Sequence, residues 1–209
     1  MGIQRSNFSS TLIRYRRLVA SGSSQAHLPY RYHACELHQD GSGVFASIID
    51  TPMVDPHVQR EEKLVDNNYL VLGVAAALRM LGIHARDRAA AGGLANLRAT
   101  IWPIGEEIPI ALVSNVGMRN EQAGPAVLRE PPSADAVADI DDLATDGPGQ
   151  VAATYRLASG LHQAFGKPEA PLVTSDGGLR LRYWHYTAQQ ALTAWAATAG
   201  VEVSNDVLC

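Results

Sequence analysis

The sequence predicts an α+β fold, with an antiparallel sheet covered by a long helix, then an acidic proline-rich segment, then a helix–hairpin–helix subdomain. Three observations predict it. β-favourable runs come in pairs, Tyr30 to Leu37 with Val44 to Ile49 and Leu97 to Trp102 with Ile108 to Ser114. Between the pairs lies an apolar run, Gln59 to Ala91, spaced as a helix. Net acidity is concentrated in residues 121–150, which hold seven acidic side chains and one basic one, together with Pro125, Pro131, Pro132 and Pro148.

Each element has a local reason. Ser10 to Ala20 reads as an amphipathic basic helix, with Leu12 and Ile13 apolar and Arg14, Arg16 and Arg17 cationic. The first strand pair is joined by His38-Gln-Asp-Gly-Ser-Gly43, whose residues tolerate positive φ, so a hairpin is expected there. The long helix carries Glu61, Glu62 and Asp66 at its start and Arg79, Arg86 and Arg88 towards its end, which complements a helix dipole, and Gly92-Gly93 supplies a stop. Gly73 and Gly82 in its interior each signal close packing, a kink or a break. The second strand pair is joined by residues 103–107, and its run IALV suits an inner strand.

Prolines lack the N–H and fix φ, so 121–150 reads as a linker or surface excursion, with at most one helical turn over Ser133 to Leu143. A helix from Gln150 to Phe165, a hairpin turning at Asp176-Gly-Gly178 and a helix from Thr187 to Ala199 complete the chain. The expected organisation is therefore 1–120 as a sheet and long-helix domain, 121–150 as a connection, and 151–209 as a subdomain packed on the first.

Composition excludes several classes. The 209 residues, 46% in the hydrophobic set and 18% charged, are enough for a core. The net charge is −4, so no domain-wide basic field exists to draw in a nucleic-acid backbone. Cys35 and Cys209 stand too far apart in sequence for a disulfide framework or a zinc knuckle. No secretion-type apolar region opens the chain, and no uninterrupted apolar run approaches the roughly 20 residues that span a bilayer, so a cytoplasmic protein with no membrane partner is expected.

Candidate sites are few. His33, Cys35, Glu36 and His38 combine a thiol, two imidazoles and a carboxylate, but strand alternation sends His33 and Cys35 to one face and Glu36 and His38 to the other. Neither glycine-bearing turn has the phosphate-loop pattern, and no G-x-S-x-G or HExxH occurs, so neither cofactor nor metal is expected. Arg14, Arg16 and Arg17, with Arg180 and Arg182 on the hairpin, form a basic set able to meet phosphate or an acidic partner. Tyr183, Trp184 and Tyr186 form an aromatic patch suited to an interface.

Three stretches, YHACELHQDGSGVFASI, REEKLVDNNYLVLGVAAALRMLGIHARDRAAAGG with its trailing LRATIWP, and RLASGLHQAFGKPEAPLVTSDGGLRLRYW, together cover most of residues 30–185. They resemble the C-terminal region of actinobacterial proteins that carry an N-terminal Schlafen-like, Alba-type nucleic-acid-binding or ATP-binding domain. The resemblance brings no catalytic residues and implies an accessory or sensory module, as a fragment or a free-standing relative, since that N-terminal domain is not read here. The expected function is a non-catalytic regulatory or interaction module that binds a protein partner or a second copy of itself. The rival readings are a small enzyme or ligand-binding protein with a cleft between the two parts, and a nucleic-acid accessory acting through the basic residues near Arg16.

Overall fold

The computed structural model of the chain describes residues 10–23, 32–48, 63–102, 109–116, 119–184 and 186–205. Its mixed helices and strands form an α+β fold that includes a four-stranded antiparallel sheet, in the order β1-β2-β3-β4. β3 (Tyr32–His38) and β4 (Gly43–Ser47) are the expected hairpin, with Cys35 opposite Phe45 and Gly41 at φ +88 in the turn.

β1 (Ser10–Arg14) and β2 (Arg17–Ser23) are a second hairpin, where the sequence reading expects a helix over Ser10 to Ala20. Thr11, Ile13 and Val19 are β-branched, and β2 gains ladders on both sides by lying between β1 and β3. Long-range pairing wins over local helix propensity there. The turn was hidden because Arg16, not a glycine or asparagine, takes the positive φ of 58.

β5 (Lys63–Asp66) runs into helix α1 (Asn67–Ile83), so the helix starts later than the expected Gln59. The register explains this: Lys63 to Asp66 pair in parallel with Ile110 to Val113 of β7 (Ile110–Val116), and the Asp66 carboxylate caps α1 by accepting from the Asn68 and Tyr69 amides at 2.8 and 3.0 Å. Positions Gln59 to Glu62, and the connection 103–107, lie outside the described residues. β7 is the inner strand that its IALV run suggests, flanked by β5 and by β8 (Arg119–Leu128). The β7–β8 register jumps from Ala111 opposite Val127 to Val113 opposite Gln122, so Pro125 falls in a bulge where no ladder hydrogen bond is required of it.

The second expected strand pair is re-partnered. β6 (Leu94–Thr100) pairs not with β7 but with β9 (Ser133–Asp139), from the segment read as a linker, and α2 (Ile140–Leu143) follows directly. That segment is thus largely structured, with Ala134, Ala138, Ile140 and Leu143 buried. Its strand was obscured because its inward residues are alanines, which carry little β propensity. Alanine is what fits: a Cβ on Gly160 of the underlying helix would lie 2.7 Å from the Ala134 Cβ.

That helix, α3 (Pro148–Ala164), has Pro148 in its first turn and two buried sides. Ala153, Leu157 and Leu161 join Val65, Leu70, Val74, Leu78, Ile110 and Phe165 in the larger core. Val151 and Ala158 join Leu172, Val173, Leu179, Trp184 and Val201 in the second. Complete burial of a Leu or Phe side chain contributes about 1.5–3 kcal/mol, so this helix anchors both cores. The expected hairpin shortens to a bridge between Val173 and Leu179, after which β10 (Leu179–Arg180) pairs in parallel with β11 (Val203–Ser204) beyond helix α4 (Tyr186–Ala199).

α1 with its final turn, Asn67–Arg88, is 22 residues long and apolar enough by length and composition to cross a bilayer. Its Leu70, Val74 and Leu78 stripe is packed into the larger core. Of its two interior glycines, Gly82 marks close packing, since a Cβ there would lie 2.6 Å from the Leu143 backbone, while Gly73 meets nothing within 4 Å.

α1 and α3 are also joined by buried polar groups. The Gln150 amide donates to the Ala75 carbonyl at 3.0 Å, and the His162 ring faces the Asn67 carboxamide. His162 Nδ1 lies 2.6 Å from the Ala158 carbonyl, which can only accept, so Nδ1 carries the proton. Burial holds this imidazole below its ordinary pKa, so the ring is neutral and Nε2 accepts, which sets the Asn67 amide with its NH2 towards the ring. The linkage has a definite sign: below about pH 6.5 the unfolded chain binds a proton at this residue that the native ring refuses. Stability should therefore fall as pH drops from about 6.5 towards the depressed native value, by up to about 1.4 kcal/mol per pH unit from this group. Urea midpoints at pH 7.5, 6.0 and 5.0 check it, with the slope reduced in His162→Gln; an identical slope in that variant assigns the loss to other groups.

Candidate functional site

The four-stranded sheet brings together residues that the sequence presents as two separate groups. Arg17 stands opposite His38 across β2 and β3, and Glu36 lies two residues back along β3 on the same face. Arg17 Nη1 donates to Glu36 Oε1 at 2.6 Å, and His38 Nε2 donates to the same oxygen at 2.9 Å. The Arg17 guanidinium holds the Glu36 carboxyl below its ordinary value, and His38 adds to this. This is a half-exposed polar cluster on the outer face, not a buried catalytic pair.

Cys35 and His33 point the other way, as strand alternation requires. Cys35 is buried opposite Ala20 and Phe45, and burial pushes its thiol above the ordinary value, away from the thiolate a nucleophile needs. His33 stacks on Phe45, ring centroids 5.9 Å apart. Among the described residues no group of three His, Cys, Asp or Glu side chains is placed to hold a metal ion.

Below the polar cluster the chain makes a cleft. The last turn of α1 widens into a π-helical turn, His84–Arg88, and His84 Nε2 donates to the His38 carbonyl at 2.7 Å. The two hairpin turns are tied to one another by the Gln39 amide, which donates to the Arg16 carbonyl at 3.0 Å. The resulting open cavity of about 350 Å³ has Arg14, Arg17, His38, His84 and Arg88 in its lining. Arg14 and Arg88 are separated by 73 residues of sequence; Arg88 is read there only as a charge suiting a helix end, and His84 is not singled out at all. Their i, i+4 spacing beside the turn of an adjacent hairpin was the available signal.

The remaining residues of the basic and aromatic sets divide. Arg16, exposed in the β1–β2 turn, lies over the neighbouring Tyr15 ring. Arg180 is turned inward: it donates to the Val173 carbonyl at 2.8 Å and pairs with Glu169 at 3.0 Å, while Tyr155 donates to the other Glu169 oxygen at 2.5 Å. That guanidinium is a structural tie rather than the surface cation the sequence suggests; Arg182 is exposed. Trp184 is buried, its indole N–H donating to the Leu172 carbonyl at 3.1 Å, so it is a core residue and not the surface anchor expected. Tyr183 is half-buried beside it, and Tyr186 opens α4, with its side chain outside the described residues.

The two most exposed large apolar side chains among the described residues lie on the first hairpin instead. Every residue of β1 is exposed, and Ile13 and Tyr15 are each 84% accessible. No family model matches the chain, and no curated protein or solved structure is similar to it.

Proposed function

We propose that this chain is a non-catalytic regulatory or interaction module that associates with a second copy of itself through β1. The observation that carries the reading is that β1 is an edge strand exposed on both faces, with a neighbour on one side only among the described residues. An edge strand presents a row of unpaired backbone N–H and C=O groups, and stable monomers blunt such edges with lysine, proline or a covering element. STLIR has no lysine or proline and its one charge, Arg14, stands at the end of the strand, while Leu12, half-exposed, and Ile13 add apolar surface to the free backbone. Antiparallel pairing of two β1 strands would join two four-stranded sheets into one, with backbone hydrogen bonds supplying most of the affinity. The stretches that resemble Schlafen-like proteins support an accessory role beside a nucleic-acid-binding protein, with dimerisation supplying the second half of a symmetric assembly.

A five-residue strand makes a small interface, so the association should be weak and concentration-dependent. Sedimentation equilibrium over a hundredfold concentration range should show the mass rising from 22.4 kDa towards twice that value. Leu12→Lys, which places a charge at the strand edge and removes no core residue, should keep the protein at the monomer mass. A monomer at all concentrations, or a dimer indifferent to Leu12→Lys, contradicts pairing through β1.

A further inference from the structure

The hydrogen-bond phase of the first hairpin fixes which groups β1 offers to a partner. Arg14 stands opposite Arg17 across a two-residue turn, Tyr15-Arg16, so this closing pair exchanges both of its backbone bonds. Bonded pairs alternate with unbonded ones along an antiparallel ladder. Ser10, Leu12 and Arg14 therefore turn their N–H and C=O groups towards β2, while Thr11 and Ile13 turn theirs to the free side. The next ladder agrees with this phase. The Gln39 amide donates to the Arg16 carbonyl at 3.0 Å, the bond that flanks an unbonded Arg17–His38 pair, which leaves the Arg17 backbone groups for β1.

The edge thus presents two donors and two acceptors, on Thr11 and Ile13. A second copy related by a two-fold axis presents the same groups in reverse order. Antiparallel pairing joins all of them when Leu12 faces Leu12 of the second copy, because Thr11 then faces the other Ile13 and Ile13 the other Thr11. A dyad at Ile13 would set Thr11 against Tyr15, which lies in the turn, and a dyad at Thr11 would set Ile13 against position 9, outside the described residues. Charge selects the same register. Arg14 meets Ser10 of the second copy, and the two Arg14 side chains stand at opposite ends of the paired strands. Leu12 and Val19, opposite it on β2, continue across the dyad as an apolar row on the sheet face that also carries Glu36.

We infer that the self-association proposed above, on which this inference rests, has its two-fold axis at Leu12, with Leu12 packed on Leu12 of a second copy and the backbone groups of Thr11 and Ile13 making the hydrogen bonds of the interface. Leu12 lies in an unbonded pair on its outer side, where facing Cα atoms approach to about 4.5 Å. Thr11 and Ile13 each lie diagonally to their own counterparts, at about 7–8 Å. Residue 12 alone then faces itself within the roughly 4.4–6.8 Å Cα separation of a disulfide.

Leu12→Cys, Thr11→Cys and Ile13→Cys, each in the full chain with Cys209→Ser and the buried Cys35 retained, are oxidised side by side at a concentration where the sedimented mass of the parent has risen. Leu12→Cys should give a disulfide-linked dimer, mapped by peptide mass to residue 12 in both chains, and that species should be lost in Thr11→Cys alone and in Ile13→Cys alone. An equimolar mixture of the last two should recover a linked dimer, between residue 11 of one chain and residue 13 of the other. The mixture keeps Leu12 in place, so it decides the matter if Leu12→Cys itself associates too weakly to link. The inference is overturned if the parent associates but Leu12→Cys links no more than the other two and the mixture does not link, or if Thr11→Cys or Ile13→Cys links readily to itself; the dyad then lies elsewhere, while the mass of Leu12→Lys still decides pairing through β1. A parent that stays at 22.4 kDa at all concentrations overturns self-pairing itself, and the register with it.

Discussion

Replacing Trp184 with alanine should destabilise the protein by about 3–5 kcal/mol, the range for truncating a buried aromatic side chain. The indole is packed among Leu172, Val173, Leu179 and Val201, and its N–H satisfies the Leu172 carbonyl. Alanine leaves a cavity and an unpaired carbonyl together, and the surrounding backbone, tied by the Arg180 and Glu169 contacts, has little freedom to close in. At this chain length the expected drop in thermal midpoint is on the order of 10 °C. Trp184→Phe should lose less, because it keeps most of the volume and forfeits only the donor. Trp102, 76% exposed, provides the contrast: its alanine variant should change stability by no more than about 0.5 kcal/mol. Denaturant midpoints of the three variants check this. A Trp184→Ala protein as stable as the parent would return that residue to the surface role its sequence neighbourhood suggests.

Gly177→Ala should be the most damaging substitution in a turn, at roughly 3 kcal/mol or more. The glycine sits at φ +91, where an L side chain is strained by roughly 1–2 kcal/mol. The added Cβ would also lie 2.2 Å from the Pro148 carbonyl oxygen and 2.7 Å from its carbon. Both are backbone atoms of the first turn of α3, so relief requires moving the helix that anchors both cores. Overpacking of that kind adds about 1–3 kcal/mol. Gly92, exposed and with nothing within 4 Å, is the matched control and should tolerate alanine within about 0.5 kcal/mol. Urea unfolding of the pair distinguishes a steric requirement at residue 177 from a generic effect of losing a glycine.

The reasons that Gly177 and Trp184 matter were only half visible in the sequence. Asp176-Gly-Gly178 announces a turn, and the turn is there, with the Thr174 amide donating to the Gly178 carbonyl at 3.0 Å. The approach of Pro148 to that turn is a contact between distant segments and leaves no local mark. The same division runs through the fold. Helices α3 and α4 and the β3–β4 hairpin have strong local signals in periodicity, caps and glycines. β1, β2, β8 and β9 do not, because they are specified by partners far along the chain and by alanines and a positive-φ arginine that resemble helix or loop. Strand alternation correctly separated Cys35 from Glu36 and His38 before any coordinates, since it depends only on the period of two. The convergence of Arg17, from a segment read as a helix, with Glu36 and with Arg88 needed the tertiary fold.

Hydrogen exchange at β1 tests self-pairing most directly, because it reports on the edge itself. If two copies pair there, amide protection within Ser10–Arg14 should rise with protein concentration, while the β4 edge stays unchanged and Leu12→Lys abolishes the rise. Exchange along β1 that is independent of concentration across the range in which the mass increases would contradict the account and move the interface elsewhere.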